Sequence, residues 1–314
     1  MLAHFKSKKN FFTIAAIIII ALNLYTFSVA YPTMNQPLNL GGADLPRDFS
    51  VYYIAAWRMV HNPSQIFNTQ TLSDGEPAIY PPITPYKYLP SFLVEISPLL
   101  SLGYYQAFWV FDSIQFIMLP IMAFLLYKLL ENKHPLVALV VLVAVLLLPY
   151  PMPGRGLSVS YFMSWVEGQA KIFVAFFLLL SFYLGYRGKP GTSGVAFALG
   201  AFDPRFAVLA LPLFVFYNKG NLRRASAVMM IGLAALNAVV FYPGTAGGFV
   251  GMVFGTGTTT PFYTPAWIPV IMLACLFAVN AKQMVEELKI TVDVFERKVK
   301  GASVSLDATD AKLQ

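Results

Sequence analysis

The chain has 314 residues, of which 57% are hydrophobic and 12% charged, with a net charge of +7. Soluble domains carry roughly 25% charged residues, so this composition excludes a water-soluble domain and implies several membrane spans. The positive balance points to Lys/Arg-bearing cytoplasmic loops; no basic cluster is interleaved with stacking aromatics, which sets nucleic acid aside.

Lys6, Lys8 and Lys9 precede a run of about 20 mostly apolar residues, enough to cross the hydrocarbon. Ser28-Val29-Ala30 resembles a signal-peptidase site, but the run is longer than a signal core and reads as an uncleaved anchor. The lysines hold the N-terminus in the cytoplasm, so residues 31–85 form a long outer loop. Within it, FSVYYIAAWRMV reads as a short interfacial helix, with Tyr52, Tyr53 and Trp57 suited to headgroup level. Asp48 just before it is a favoured helix N-cap residue.

Residues 86–102 are apolar but carry Lys87, Glu95 and two prolines. A good span follows from Phe108 and ends in the cationic loop Lys128 to His134. Further spans are expected over 136–150, from Gly168 to Arg187, over 225–243 and over 265–281. Residues 151–166 and the Gly/Thr-rich 244–264 read as loops. Residues 191–218 are interrupted by Asp203-Pro204-Arg205.

Lys and Arg in the loops at 128–134, 187–190 and 219–224 place all three in the cytoplasm. Residues 86–128 therefore cross an odd number of times, which makes 86–102 the non-spanning or re-entrant piece. Residues 191–218 start and end inside, as two half-length helices with Asp203-Pro204-Arg205 at their outer tip. Such broken helices persist where they line a cavity or are buried in protein. Asp44, Asp48, Arg58, Asp74, Glu76, Lys87, Arg155, Glu167 and Arg205 then converge on the outer face. Charge at membrane depth is costly and marks function.

The expected fold is an all-α polytopic transmembrane bundle, with about seven full spans plus re-entrant or half-length helices. Residues 1–281 form its membrane domain and 31–85 its outer loop. In 282–300, Val285, Leu288, Val292, Phe295 and Val299 make one helical stripe. This cytoplasmic amphipathic helix lies on the membrane or meets a protein partner, and 301–314 read as a disordered tail.

Several chemistries lack their residues. His4, His61 and His134 have no ligand spacing and no CxxC or HExxH occurs, so no metal is implied. There is no GxSxG for a serine hydrolase and no Walker motif for ATP.

The ordered set Asp48-Phe49-Ser50-Val51-Tyr52-Tyr53-Ile54-Ala55-Ala56, then Tyr80-Pro81-Pro82, then Gly168-Gln169, then the Pro204 hairpin is specific in combination. It resembles the GT-C membrane glycosyltransferases, most closely the polyprenyl-phosphate-mannose-dependent branch, glycosyltransferase family eighty-seven. The resemblance implies a GT-C fold and transfer of a sugar from a polyprenyl-phosphate donor to a lipid, glycan or protein acceptor outside the cytoplasm. No cofactor is implied. Asp48 would be the catalytic base, acting with inversion. Arg205, Lys171 and Arg155 are candidates for the donor phosphate; Tyr52, Tyr53, Trp57, Tyr80, Glu167 and Gln169 are candidates for substrate contacts. The protein would sit in a cell membrane with both termini cytoplasmic. In two positions the sequence departs from the family pattern: Asp203 stands where a lysine is usual and Lys171 where an asparagine is usual. The alternative is a non-catalytic membrane subunit of the same fold. A small-solute transporter also tolerates broken helices, but no internal repeat is evident.

Overall fold

The computed structural model describes residues 47–67, 86, 88–130, 149–152, 156–159, 168–254, 272–286, 289–290 and 292–294, with the isolated Ala21. The chain divides into two units, 1–273 and 274–314. The fold is all-α. Among the described residues the one exception is a short antiparallel ladder of β1 (Pro149–Met152) and β2 (Gly156–Val159), with Pro149 opposite Val159 and Met152 opposite Gly156. This replaces part of the loop expected over 151–166. Strands joined across three residues match a common hairpin length, a pattern that the Pro/Gly content conceals.

Helix α1 spans Arg47–His61. It starts two residues earlier than the capping reading requires, so Asp48 lies in the first turn, where an acid favours the helix dipole. It is no exposed interfacial helix: every residue from Phe49 to Ala56 is buried. Next comes α2 (Ser91–Ile96), continued by a 3-10 turn to Ser101. At 1.5–2 Å per residue these pieces reach about 20 Å, short of the roughly 30 Å hydrocarbon.

Helix α3 (Tyr104–Leu129) has 26 residues and is, among the described residues, the one helix long and apolar enough to cross a membrane. Its start is fixed by Gln106, whose Oε1 accepts from the Gly103 backbone N–H at 3.0 Å. Helix α4 (Lys171–Tyr186) begins level with it: the Phe111 and Phe173 rings stack at 4.9 Å.

Helices α5 (Pro190–Gly200) and α6 (Pro204–Tyr217) are the two halves of the broken segment. At 1.5 Å per residue they reach about 16 and about 21 Å. The break has a local cause. A residue before proline is pushed out of the α region, and Asp203 sits at φ −98°, ψ 97°. Pro204 then opens α6 at a position that tolerates a missing N–H.

Helix α7 (Leu222–Leu236) packs along α5. A Cβ on Gly194 would strike the carbonyl of Ala225, so the glycine permits this close approach, as small residues do between membrane helices. At the far end, buried Ser181, Ser193 and Asn218 bond across helices: Ser181 Oγ donates to Ser193 O at 2.8 Å and Asn218 Nδ2 to Ser193 Oγ at 2.9 Å.

The expected Gly/Thr loop over 244–264 is in part helical. Helix α8 covers Thr245–Phe254. Glycine disfavours helix by up to about 1 kcal/mol per residue, and tertiary contacts offset this. Thr245 Oγ1 donates to Pro63 O at 3.0 Å, Gly248 faces Phe67, and Phe249 lies 5.9 Å from the Phe67 ring. Residues 272–286 are helical and run across the boundary expected at 281. In the second unit Val285, Ile290, Val292 and Val294 are exposed. The amphipathic residues Leu288, Phe295 and Val299 and the tail 301–314 lie outside the described residues, as does the expected first span.

Candidate functional site

The start of α3 meets α1 around aromatic rings, and Tyr88 and Phe92 link α1 to the start of α4 and to Phe202 at the break before α6. Phe49, one residue after Asp48, lies 5.5 Å from Phe108 and 5.0 Å from Phe111. Gly168 closes over it. This glycine has φ +65°, and an added Cβ would come within 2.6 Å of the Phe49 Cβ and 3.1 Å of Phe108. A side chain is excluded twice there, by conformation and by space. Gly168 thereby brings Gln169 and Lys171, both buried, against the helix that carries Asp48.

Tyr52, one turn after Asp48, is buried with its ring 5.7 Å from Tyr88 and 5.1 Å from Phe92. Burial pushes its phenol well above the ordinary value, and Tyr88 and Asp48 push it the same way. The phenol also meets the Tyr88 side chain and the Ala170 backbone. Tyr53 is buried and donates to Leu102 O at 2.7 Å. Trp57 is half-buried and stacks on His61 at 4.3 Å. Of these three aromatics, Trp57 alone keeps appreciable surface, and Tyr52 and Tyr53 hold α1 in place.

The charged centre is built on the break between α5 and α6. The Asp203 carboxylate is fully buried, and Oδ2 accepts from Lys171 Nζ at 2.9 Å and from an Arg205 Nη at 2.8 Å. Oδ1 accepts from Arg205 Nε at 2.9 Å and from the Arg205 backbone N–H at 3.3 Å. One carboxylate thus caps α6, forks the guanidinium and holds the ammonium. The segment before α2 closes the far side. Leu89 N–H donates to Phe202 O at 2.9 Å, Phe92 stacks on Phe202 at 4.2 Å, and Tyr88 Oη lies 3.5 Å from Lys171 Nζ.

Lys171 is 2% exposed, whereas Arg205 is 50% exposed. Two cations and one carboxylate leave one net positive charge, at the N-terminus of α6, where the dipole adds to it. Only Arg205 offers it outward. Its Nε and one Nη are bonded to Asp203, which leaves the second Nη and the outer edge of the half-exposed guanidinium for a further acceptor. This is the donor geometry that suits a phosphate or carboxylate.

Of the expected site residues, the structure brings Asp48, Tyr52, Gln169, Lys171 and Arg205 to this junction. Arg155, Tyr80 and Glu167 lie outside the described residues. Two features escaped the sequence reading. Tyr88 joins the α1 aromatics to Lys171, and no local pattern marks it. Asp112 and Gln115 are buried in α3, with Gln115 Nε2 donating to Asp112 Oδ1 at 3.2 Å. A lone acid inside an apolar span is a visible signal.

The chain matches the model of glycosyltransferase family 87 over residues 86–281, well over half its length. The matched stretch takes in Tyr88, Lys171, Asp203 and Arg205 and begins after Asp48 and Tyr80. No curated protein and no solved structure matches the chain.

Proposed function

The chain belongs to glycosyltransferase family 87, and from that premise we propose that it moves a sugar, mannose by the family resemblance, from a polyprenyl-phosphate donor to an acceptor hydroxyl at the outer membrane face. The acceptor is a lipid, glycan or protein. Asp48 is the general base. It takes the acceptor proton as that oxygen bonds to the anomeric carbon. The bond from that carbon to the phosphate oxygen breaks, and polyprenyl phosphate leaves with the electron pair. Attack opposite the leaving group inverts the centre.

The leaving phosphate needs charge neutralisation rather than a proton, and preorganised cations supply it. That explains how one carboxylate suffices where a glycosidase uses two. Arg205 meets the phosphate, Lys171 backs it through Asp203, and Arg155 is the third cation of the set. Trp57, Tyr80, Glu167 and Gln169 contact the sugar, and Tyr52 and Tyr53 support them. The positive-inside pattern puts this end on the outer side and both termini in the cytoplasm.

The observation that carries the reading is the connection from the Asp48 helix through Tyr52 and Tyr88 to Lys171, Asp203 and Arg205. It supports reading Asp48 as the base and Arg205 as the phosphate contact, because it links the helix that bears one to the ion pair that holds the other. The test is transfer from radiolabelled polyprenyl-phosphate-mannose into lipid or polymer by membranes holding the wild type or Asp48→Asn. Loss of a general base costs about 10²–10⁴ in rate, so a folded Asp48→Asn should fall by that factor. Equal transfer by the two removes Asp48 as the base. No transfer by either, over several donors, favours a non-catalytic subunit.

A further inference from the structure

The opposite end of the bundle has its own chemistry. Phe111 and Phe173 are level, and Lys128 and Arg187 stand 17 and 14 residues further along their helices, about 25 and about 21 Å at helical rise. Asn218, which bonds Ser193 and fills the space at Gly185, ties the turn bearing Lys219 to the turn bearing Arg187 and Lys189. Arg223 and Arg224 follow at the start of α7, and Arg224 Nε lies 4.0 Å from the Cβ position at Gly191. Six cations therefore share one end of the bundle.

Three of these cations lie over an aromatic ring about one helical turn earlier. Lys128 Nζ is 5.5 Å from the Phe124 ring, the Arg187 guanidinium 5.8 Å from Tyr183, and Lys219 Nζ 5.8 Å from Phe216. The same pairing ends three different helices. Aromatic rings at headgroup depth, with basic stems running past them toward water, mark a membrane interface. Between Lys219 and Arg224 lies an open groove of about 620 Å³, floored by Asn221, Leu222 and Ala227. Exposed Val208, Leu211 and Val215 run along α6 toward it.

We propose that this groove seats the headgroup of an acidic phospholipid in the leaflet opposite the sugar-transfer end. Lys219, Arg223 and Arg224 meet the phosphate, and the apolar face of α6 carries the acyl chains. That apolar wall favours a lipid over a free phosphate, which would use the cations alone.

The full-length protein in mild detergent is offered equimolar phosphatidylglycerol and phosphatidylcholine, and retained lipid is counted by mass spectrometry. Each basic residue near an anionic surface contributes about fivefold, so the wild type should retain at least about tenfold more phosphatidylglycerol. Lys219→Gln/Arg223→Gln/Arg224→Gln should reduce this to about twofold or less. Arg223→Lys/Arg224→Lys should keep it. High salt on the wild type should also abolish it, since at 1 M the screening length is about 3 Å; this arm stands if the triple variant does not fold. Equal retention of the two lipids, retention indifferent to salt, or a folded triple variant that retains as the wild type does would each overturn the proposal. Displacement by excess glycerol phosphate would make the groove a free-phosphate site and overturn it as well.

Discussion

Asp203→Asn tests the charged centre most directly. The substitution keeps the shape of the side chain and one oxygen to cap α6, but removes the charge that two cations share. Arg205 is half-exposed and can turn to solvent, so its loss is small. Lys171 is buried, and its Nζ is left beside the Tyr88 hydroxyl and the Tyr88 and Phe206 rings, each ring centroid 5.2 Å away. Removing one partner of a buried pair costs about 3–5 kcal/mol, because the other charge stays uncompensated. At about 2 °C per kcal/mol for a large domain, unfolding in detergent should drop by about 6 °C or more. Lys171→Met alone should cost less, since Asp203 keeps the Arg205 fork. The double variant should then recover part of the loss, a positive coupling between the two sites. Unfolding of Asp203→Asn within about 1 °C of wild type would refute the reasoning. So would strictly additive losses, because they would mean that the ammonium and carboxylate do not depend on each other.

The other outcomes are more local. Arg205→Lys keeps the charge but loses the fork. It should raise KM for the lipid-phosphate donor by about tenfold with unchanged folding, the loss of one bidentate contact at about 1.4 kcal/mol per decade. An unchanged KM would take Arg205 out of the donor site. Gly168→Ala must place a Cβ against Phe49 at positive φ, and overpacking of this kind costs about 1–3 kcal/mol. Its unfolding midpoint should fall, and transfer should fall with it, because Gln169 and Lys171 follow directly. A midpoint equal to wild type would show that the loop accommodates the methyl.

The parts legible in the sequence were those whose cause is local. Pro204 forces its predecessor out of the helix, so the break at Asp203 follows from two adjacent residues. The tyrosines at 52 and 53 instead read as headgroup contacts, and their burial shows only in the packing of α1. What escaped had distant causes. Helix α8 is glycine-rich and reads as a loop until Pro63 and Phe67, about 180 residues earlier, cover it. Lys171 was expected to face a phosphate. The structure shows its ammonium bonded to Asp203, 32 residues later. Nothing near Lys171 in the chain states that pairing. Tyr88 is one of several tyrosines in an apolar stretch, and only the approach of α4 and the α5–α6 break singles it out.

The two departures from the family pattern, Lys171 and Asp203, are the two ends of a single ion pair. They are therefore one change rather than two. If a lysine stands before the proline, as is usual in the family, its charge lies at the start of the helix after the break. In this chain that place holds a carboxylate, and the positive charge is supplied from both sides, by Lys171 on α4 and Arg205 on α6. With Arg205, the three groups in this chain sum to +1. Moving the positive charge from one contacting position to the other keeps a cation at the site while changing which side chain delivers it. On this account the exchange is compensated, and a reciprocal variant makes that checkable. Placing lysine at 203 alone would set three cations together in a buried site and should unfold the tip. Asp203→Lys with Lys171→Asn would restore the family's own pair and fold better than Asp203→Lys alone. If the single Asp203→Lys variant folds as well as the double, the two positions are independent and the compensation argument fails.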